Sequence, residues 1–131
     1  MSADNVEIIR RGYEEFAAGR LEAYLEEVAI PEFELDMSSW GPVAYTYRGR
    51  DGFRRFLGAL DRLWEHFDIQ PERFIGADDR VVVLIRVQAR GRESGAEVTA
   101  QYANMWTFRE GKVTRAEWFE DPDEALEAAG L

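Results

Sequence analysis

The chain has 131 residues, the length of one folding unit, and we expect residues 1–131 to form a single domain. Its formal net charge of −10 argues against binding to nucleic acid or to an anionic membrane, because phosphate groups select faces rich in Lys and Arg. The absence of cysteine excludes disulfides, thiolate catalysis and cysteine-based zinc sites. No stretch approaches ~20 apolar residues and the N-terminus does not resemble a signal peptide, so a cytoplasmic location is expected.

Apolar side chains at helical spacing predict two helices near the N-terminus. The first helix has one apolar face, made of Val6, Ile9, Tyr13, Phe16 and Ala17. The second, after Gly19, has its own apolar face, made of Leu21, Tyr24, Leu25 and Val28. Pro31 prevents this helix from continuing. Residues 32–37 then alternate like a short strand, and residues 38–50 are expected to form a loop that contains Trp40.

The next apolar stripe predicts a third helix of about four turns. Its members recur at i, i+3, i+4 and i+7: Phe53, Phe56, Leu57, Leu60, Leu63, Trp64 and Phe67. Four strands are predicted after it, at residues 69–75, 80–90, 96–109 and 112–120. Pro71 makes the first of these an edge strand, because proline cannot donate to a sheet ladder. Asp121 and Pro122 predict the start of a short terminal helix.

The strand at residues 98–108 carries the most informative pattern in the chain. Successive side chains of a strand point to opposite faces. One face is a wall of aromatic and apolar groups with a single amide in its middle: Val98, Ala100, Tyr102, Asn104, Trp106 and Phe108. An apolar surface with one polar group is typical both of a ligand pocket and of a protein core.

The order of these elements, with helices first and strands afterwards, predicts an α+β fold. Two neighbouring strands of more than ten residues must twist and curl. We therefore expect a cone-shaped α+β barrel in which a curved, mixed or antiparallel sheet wraps around three N-terminal helices, with a short C-terminal helix. A cavity is expected where the helices do not fill the cone.

Several segments resemble the SnoaL-like family of the nuclear transport factor 2-like superfamily, which includes ketosteroid isomerases and polyketide cyclases. The first two helices contain the residues NVEIIRRGYEEF and AGRL, and YRGRDG leads into the third helix. The resemblance is strongest from Ser94 through WTFREGKV to the C-terminal EALEAAGL. These patterns are specific for the fold and not for one reaction.

The resemblance to ketosteroid isomerases implies positions for a catalytic pair. Asp36 falls where their proton-abstracting Asp lies, and Asn104 falls where a protonated Asp holds the oxyanion. Their helical Tyr corresponds to Gly12, and Tyr13 is displaced by one residue, about 100° around an ideal helix. We therefore expect half of that oxyanion hole to be absent. The resemblance gives Asp36 the role of a general base and Asn104 that of a hydrogen-bond donor to a carbonyl.

Each of these assignments has a structural alternative. Asp36 shares a strand face with Glu34 and Ser38, and such a polar face normally lies in water. Asn104 is explained equally by a buried amide that is satisfied by the backbone or by Tyr102 or Tyr13.

Aromatic and apolar side chains are the candidates for the walls of a ligand site. They are Tyr13, Phe16, Trp40, Phe56, Leu60, Trp64, Tyr102, Trp106 and Trp118. The same residues are also explained as ordinary core. With one histidine, His66, and no cysteine, no transition-metal site is expected, and without a phosphate-binding motif no cofactor is expected.

The sequence leaves three functions open. The first is a cofactor-independent isomerase, cyclase or dehydratase that acts on a small hydrophobic molecule and uses Asp36 as a proton shuttle. The second is a module that binds such a molecule without turnover, and the third is a dimerisation domain. The resemblance implies a homodimer, and the semi-polar outer sheet face is its expected interface. That face contains Thr99, Gln101, Ala103, Met105 and Thr107.

Overall fold

The computed structural model describes residues 2–38 and 45–131, which form four helices and six strands. The helices are α1 (Ser2–Ala17), α2 (Leu21–Val28), α3 (Gly49–Leu63) and α4 (Pro122–Ala128). The strands are β1 (Ala29–Asp36), β2 (Thr46–Arg48), β3 (Trp64–Ala77), β4 (Arg80–Gly91), β5 (Glu97–Arg109) and β6 (Lys112–Phe119). None of the described helices is long and apolar enough to cross a membrane.

The strands form one mixed sheet in the order β2-β1-β6-β5-β4-β3. β1 runs parallel to β6, and the other neighbouring strands are antiparallel. The predicted α+β cone is confirmed, with three N-terminal helices and a short C-terminal helix. The sheet does not close into a barrel, because β2 and β3 remain at opposite edges.

The inner face of the sheet forms the main core together with α1, α2 and α3. Alternate residues of β4 on this face are fully buried: Val81, Val83, Ile85 and Val87. The ladder to β5 pairs Val83 with Asn104 and Val81 with Trp106. The aromatic wall that the alternation predicted therefore lies on the inner face, where the helices cover it.

The third helix ends earlier than its apolar stripe predicted, because Trp64 and Phe67 belong to β3. Arg92, in the hairpin between β4 and β5, binds the end of α3. Its backbone N–H donates to the Leu63 carbonyl at 3.0 Å, and its guanidinium donates to the carbonyls of Asp61 and Trp64 at 2.9 and 3.2 Å. Carbonyls at a helix C-terminus lack helical partners, and this distant arginine satisfies them.

The outer face of the sheet is partly covered by α4, which begins at an Asp121 N-cap as predicted. A second, smaller core between this helix and the sheet buries Val82, Ala103, Met105 and Ala125. Ala103 and Met105 are therefore not available for association with a second copy, which corrects part of the expected dimer interface. Thr99 and Gln101 are exposed, and the homodimer stays a prediction.

Candidate functional site

A narrow cavity of about 60 Å³ lies between the inner face of the sheet and helices α1, α2 and α3. We call it the inner cavity. It is lined by Gly12, Tyr13, Phe16, Leu21, Leu25, Phe33, Leu35, Met37, Phe53, Phe56, Leu60, Phe67, Ile69, Asn104, Trp106, Ala116, Glu117 and Trp118. An apolar protein cavity of about 150 Å³ accommodates benzene, so the side chains of this protein already fill most of its cone.

Three polar groups form a hydrogen-bonded relay at one wall of the inner cavity. The indole Nε1–H of Trp106 donates to the hydroxyl oxygen of Tyr13 at 3.1 Å, and that hydroxyl donates to Oδ1 of Asn104 at 2.6 Å. Because an indole nitrogen can only donate, the hydroxyl of Tyr13 directs its own hydrogen to Asn104. The relay therefore occupies the oxygen of the Asn104 amide and fixes the side chain's orientation.

The nitrogen of the same amide is the group left for a ligand. Asn104 is only 7% exposed and lines the inner cavity. Within the described part of the chain, its Nδ2–H₂ group has no hydrogen-bond partner. An acceptor atom placed in the cavity within reach of this group would receive a hydrogen bond from it.

Tyr13 lines the inner cavity, although its displacement by one residue from Gly12 predicted that it would lie about 100° around the helix from the catalytic position. The hydroxyl hydrogen of Tyr13 is directed to Asn104, so the expected absence of this half of the oxyanion hole stays a prediction. Gly12, one residue earlier, faces α2, where an added Cβ would lie 2.9 Å from the ring of Tyr24. Burial raises the pKa of the Tyr13 hydroxyl well above its usual range, so the hydroxyl stays protonated and donates.

The lining of the inner cavity is poor in groups that exchange protons near neutral pH. Besides Tyr13, its ionisable residue is Glu117, whose carboxylate lies on the outer face by strand alternation, with Oε1 3.4 Å from Nε of Arg115. The sequence of residues 39–44 contains no ionisable side chain either. The cavity is therefore suited to a neutral, mostly apolar molecule with one hydrogen-bond acceptor.

Asp36 does not line the inner cavity, which corrects its predicted role as a general base there. Phe33 and Leu35 take the inner face of β1, and Met37 follows the strand on the same side, so Asp36 lies on the outer face by strand alternation. Its Oδ2 accepts from Nη2 of Arg115 at 2.6 Å, and its Oδ1 accepts from the backbone N–H of Ser38 at 2.9 Å.

The electrostatics of Asp36 also differ from those of a general base. Burial alone would raise its pKa, but the hydrogen bonds from Ser38 and the charge of Arg115 outweigh burial and leave the pKa below its usual value. Arg115 also contacts Glu34 and Glu117, so one guanidinium holds three carboxylates together on the outer face. This cluster ties β1 to β6, and we assign it a structural role.

The replacement Arg115→Gln is expected to lower the free energy of unfolding at pH 7 by about 1–3 kcal/mol, because it removes charge-assisted hydrogen bonds. The pKa of Asp36 is lower in the folded than in the unfolded state, so the stabilisation is present above about pH 4 and is lost as the pH falls through the folded-state pKa. Urea unfolding from pH 7 to pH 3 should show the two proteins converging in acid.

Arg90→Gln is the control for this series, because the Arg90–Glu97 pair is exposed and should contribute little. An equal effect of both replacements at pH 7, or a difference for Arg115→Gln that does not shrink at all as the pH falls below about 4, would contradict the assignment.

The inner cavity brings together most of the residues that the sequence proposed for a ligand site. Tyr13, Phe16, Phe56, Leu60, Asn104, Trp106 and Trp118 line it. Trp64 and Tyr102 do not line it; both are half-buried beside the core, and the ring of Tyr102 lies 5.2 Å from that of Trp118. Trp40 lies outside the described residues.

Sequence reasoning missed the contribution of β1 and α2 to the lining. Phe33 and Leu35 line the cavity from β1, as does Met37 directly after it, and Leu21 and Leu25 line it from α2. The alternation of β1 and the apolar face of α2 were the signals that could have found them. Among residues 2–38 and 45–131, no three His, Asp or Glu side chains are grouped to hold a metal ion.

Comparisons with solved structures support the fold independently. An NTF2-like protein of unknown function from Burkholderia pseudomallei K96243 is 22% identical, with 97% of this chain and 98% of that chain covered and a TM-score of 0.76. TerC, co-crystallised with polyporic acid, is 27% identical over 97% of this chain and 98% of its own, with a TM-score of 0.75.

A third structure, from Jannaschia sp. CCS1 and named as a SnoaL-like polyketide cyclase, is 19% identical over 99% of this chain and 94% of that chain, with a TM-score of 0.77. No curated protein is significantly similar to this chain. The sequence profile of the SnoaL-like domain matches residues 9–116. Since this profile spans most of the sequence, the chain belongs to the SnoaL-like family.

Proposed function

We propose that this protein binds a small, mostly apolar molecule in its inner cavity and anchors a carbonyl or similar acceptor of that molecule on Nδ2 of Asn104. The observation that carries the proposal is the relay from Trp106 through Tyr13 to Asn104. It occupies the oxygen of an amide that lines a mostly apolar cavity, and leaves the donor group of that amide for a ligand. A fixed donor in an apolar wall discriminates strongly for ligands that carry an acceptor, because a ligand without one leaves the donor unpaired.

Ligand binding in the inner cavity requires the cavity to widen. Small-molecule sites usually measure about 300–1,000 Å³, several times the present volume of about 60 Å³. The lining consists largely of Phe, Leu and Met side chains, which can change rotamer without breaking hydrogen bonds. The co-crystallisation of the related TerC with polyporic acid supports a small-molecule function for this fold.

A catalytic function of the isomerase or cyclase type is the second candidate. A donor that binds a carbonyl also stabilises the negative charge that develops on its oxygen when a neighbouring carbon loses a proton. Asp36 and its ladder partner Glu117 both lie on the outer face beside Arg115, so a water molecule would have to accept that proton. The cyclase name of the Jannaschia protein makes this chemistry a reasonable alternative.

We expect cyclohexanone to shift the side-chain amide resonances of Asn104 in a proton–nitrogen NMR titration, because the ketone oxygen would accept from Nδ2. The chain has two asparagines, so Asn5, which is buried elsewhere at 6% exposure, is the internal control. Cyclohexane, which has no acceptor, should leave the Asn104 amide unchanged. The variant Asn104→Leu should bind cyclohexanone about tenfold more weakly, the effect of losing one neutral hydrogen bond.

The same samples in D₂O separate binding from catalysis. Binding alone leaves the protons next to the ketone to exchange at the rate set by the buffer, whereas an isomerase-like site accelerates that exchange and loses the acceleration in Asn104→Leu. If cyclohexanone and cyclohexane perturb the Asn104 amide equally, Asn104 is a structural amide and the proposed function fails.

A further inference from the structure

A second cavity lies on the surface directly beside the inner cavity. It is a groove of about 350 Å³ between α2, the start of β1 and the start of α3, and we call it the outer groove. Its floor is apolar and its rim is charged. The floor consists of Leu25, Ala29, Ile30, Pro31, Phe33 and Phe53, and the rim of Glu22, Glu26 and Arg50. Its volume lies within the usual range of small-molecule sites, which the inner cavity alone does not reach.

The inner cavity and the outer groove share three side chains, which form a wall between them. Leu25, Phe33 and Phe53 belong to the lining of both. All three are apolar, and the rings of Phe33 and Phe53 pack edge to face with centroids 6.5 Å apart. A change of rotamer in this wall would join the two spaces, and it would break no hydrogen bond because these side chains make none.

The rim of the outer groove is held by ion pairs between α2 and α3. Arg54 Nε lies 2.5 Å from Glu22 Oε1, and Arg50 pairs with Glu26. The side chains of both pairs are about half exposed, so the pairs are weak and can open. The two arginines balance the two glutamates, and the rim therefore favours neither an anionic nor a cationic ligand.

We propose that the inner cavity and the outer groove are two compartments of one elongated site for a neutral, elongated, mostly apolar ketone. Its acceptor end lies on Asn104, and its other end lies on the floor of the outer groove. This inference rests on the proposed binding function and extends it, because it specifies the ligand's length, charge and direction. Leu25, Phe33 and Phe53 form the wall that moves when the ligand enters.

The test uses two neutral ketones of different length on the full chain. Cyclohexanone is short enough for the inner cavity. Prodan is longer, a naphthalene with a ketone at one end and a dimethylamino group at the other. Its fluorescence emission changes when it enters an apolar environment. Ala29→Trp fills the outer groove without touching the inner cavity, because Ala29 lines only the groove. Ile30→Trp is the second variant, should Ala29→Trp not fold.

We expect Ala29→Trp to weaken the binding of prodan about tenfold or more and to leave the binding of cyclohexanone unchanged. Asn104→Leu should weaken the binding of both ketones. If Asn104→Leu weakens prodan binding but Ala29→Trp does not, the proposal is overturned, because the inner cavity would then expand in another direction. If Ala29→Trp weakens prodan binding but Asn104→Leu does not, the proposal is also overturned, because the two compartments would then be independent. If Asn104→Leu weakens the binding of neither ketone, the proposed function itself is refuted.

A reversible crosslink gives an independent measurement. The chain contains no cysteine, so Glu22→Cys together with Arg54→Cys places unique thiols on α2 and α3 at the rim. A short bis-methanethiosulfonate reagent would tie the helices together and should slow the association of prodan, and reductant should restore the rate. An association rate that is unchanged by the crosslink would overturn the proposed role of this rim.

Discussion

The replacement Tyr13→Phe is expected to lower the free energy of unfolding by about 2–4 kcal/mol, which is large for the loss of one oxygen atom. The hydroxyl both accepts from Trp106 Nε1 and donates to Asn104 Oδ1. Its removal leaves a buried donor and a buried acceptor without partners, and each such group costs about 1–3 kcal/mol. Chemical denaturation monitored by tryptophan fluorescence and by circular dichroism measures the loss.

Tyr47→Phe is the matched control for this experiment. Tyr47 is as buried as Tyr13, at 8% exposure, but its hydroxyl has no hydrogen bond within residues 2–38 and 45–131. We expect its replacement to cost under about 1 kcal/mol. A double-mutant cycle with Asn104→Leu isolates the coupling between Tyr13 and Asn104. If Tyr13→Phe costs no more than Tyr47→Phe, the relay does not orient the amide and the proposed function loses its main support.

The sequence was sufficient for the fold, and it indicated Asn104, the central residue of the proposed site. The alternation in β5 identified Asn104 as an isolated amide in an aromatic wall, and Tyr13 was one of the partners considered for it. The rotation of α1 could not be predicted, because it depends on how the helix packs. Gly12 faces Tyr24 on α2, and this close contact turns the next residue, Tyr13, toward the sheet.

The error over Asp36 has a different cause, since the sequence contained the correct answer. Strict alternation put Asp36 opposite Phe33, Leu35 and Met37, whereas the resemblance to ketosteroid isomerases put it in the pocket. A shift of one residue in a strand exchanges its two faces, so alternation is the stronger guide wherever one face is buried. Position in a family pattern does not fix the direction of a side chain.

The boundary between α3 and β3 shows a further limit of local patterns. Trp64 and Phe67 fit the helical stripe, and Phe67 and Ile69 also fit the alternation of a strand. The end of the helix is stabilised by Arg92, which comes from a hairpin almost 30 residues later in the chain. Only the assembled fold brings this arginine to the helix, and local sequence therefore could not decide the boundary.

The second large effect is expected from Phe56→Ala, which should lower the free energy of unfolding by about 3–5 kcal/mol. Phe56 is buried at 7% exposure and lines the inner cavity that also contains Asn104. Removal of its ring enlarges this cavity in the immediate neighbourhood of the amide donor. Acetophenone should then bind in the space and restore about 1.4 kcal/mol when its free concentration is about ten times its Kd. Thermal unfolding with increasing ligand measures this recovery.

The selectivity of the recovery distinguishes a binding site from a simple void. Ethylbenzene has nearly the same shape as acetophenone but no carbonyl, so it should stabilise Phe56→Ala less, and the difference should disappear when Asn104→Leu is added. Phe108→Ala is the matched control, because Phe108 is equally deep in the core at 3% exposure and does not line the inner cavity. Phe108→Ala should lower the free energy of unfolding by a similar amount, and it should be stabilised equally by acetophenone and ethylbenzene. Equal stabilisation of Phe56→Ala by both ligands would mean that Asn104 does not bind acceptors, and the inner cavity would then be a packing defect of the cone.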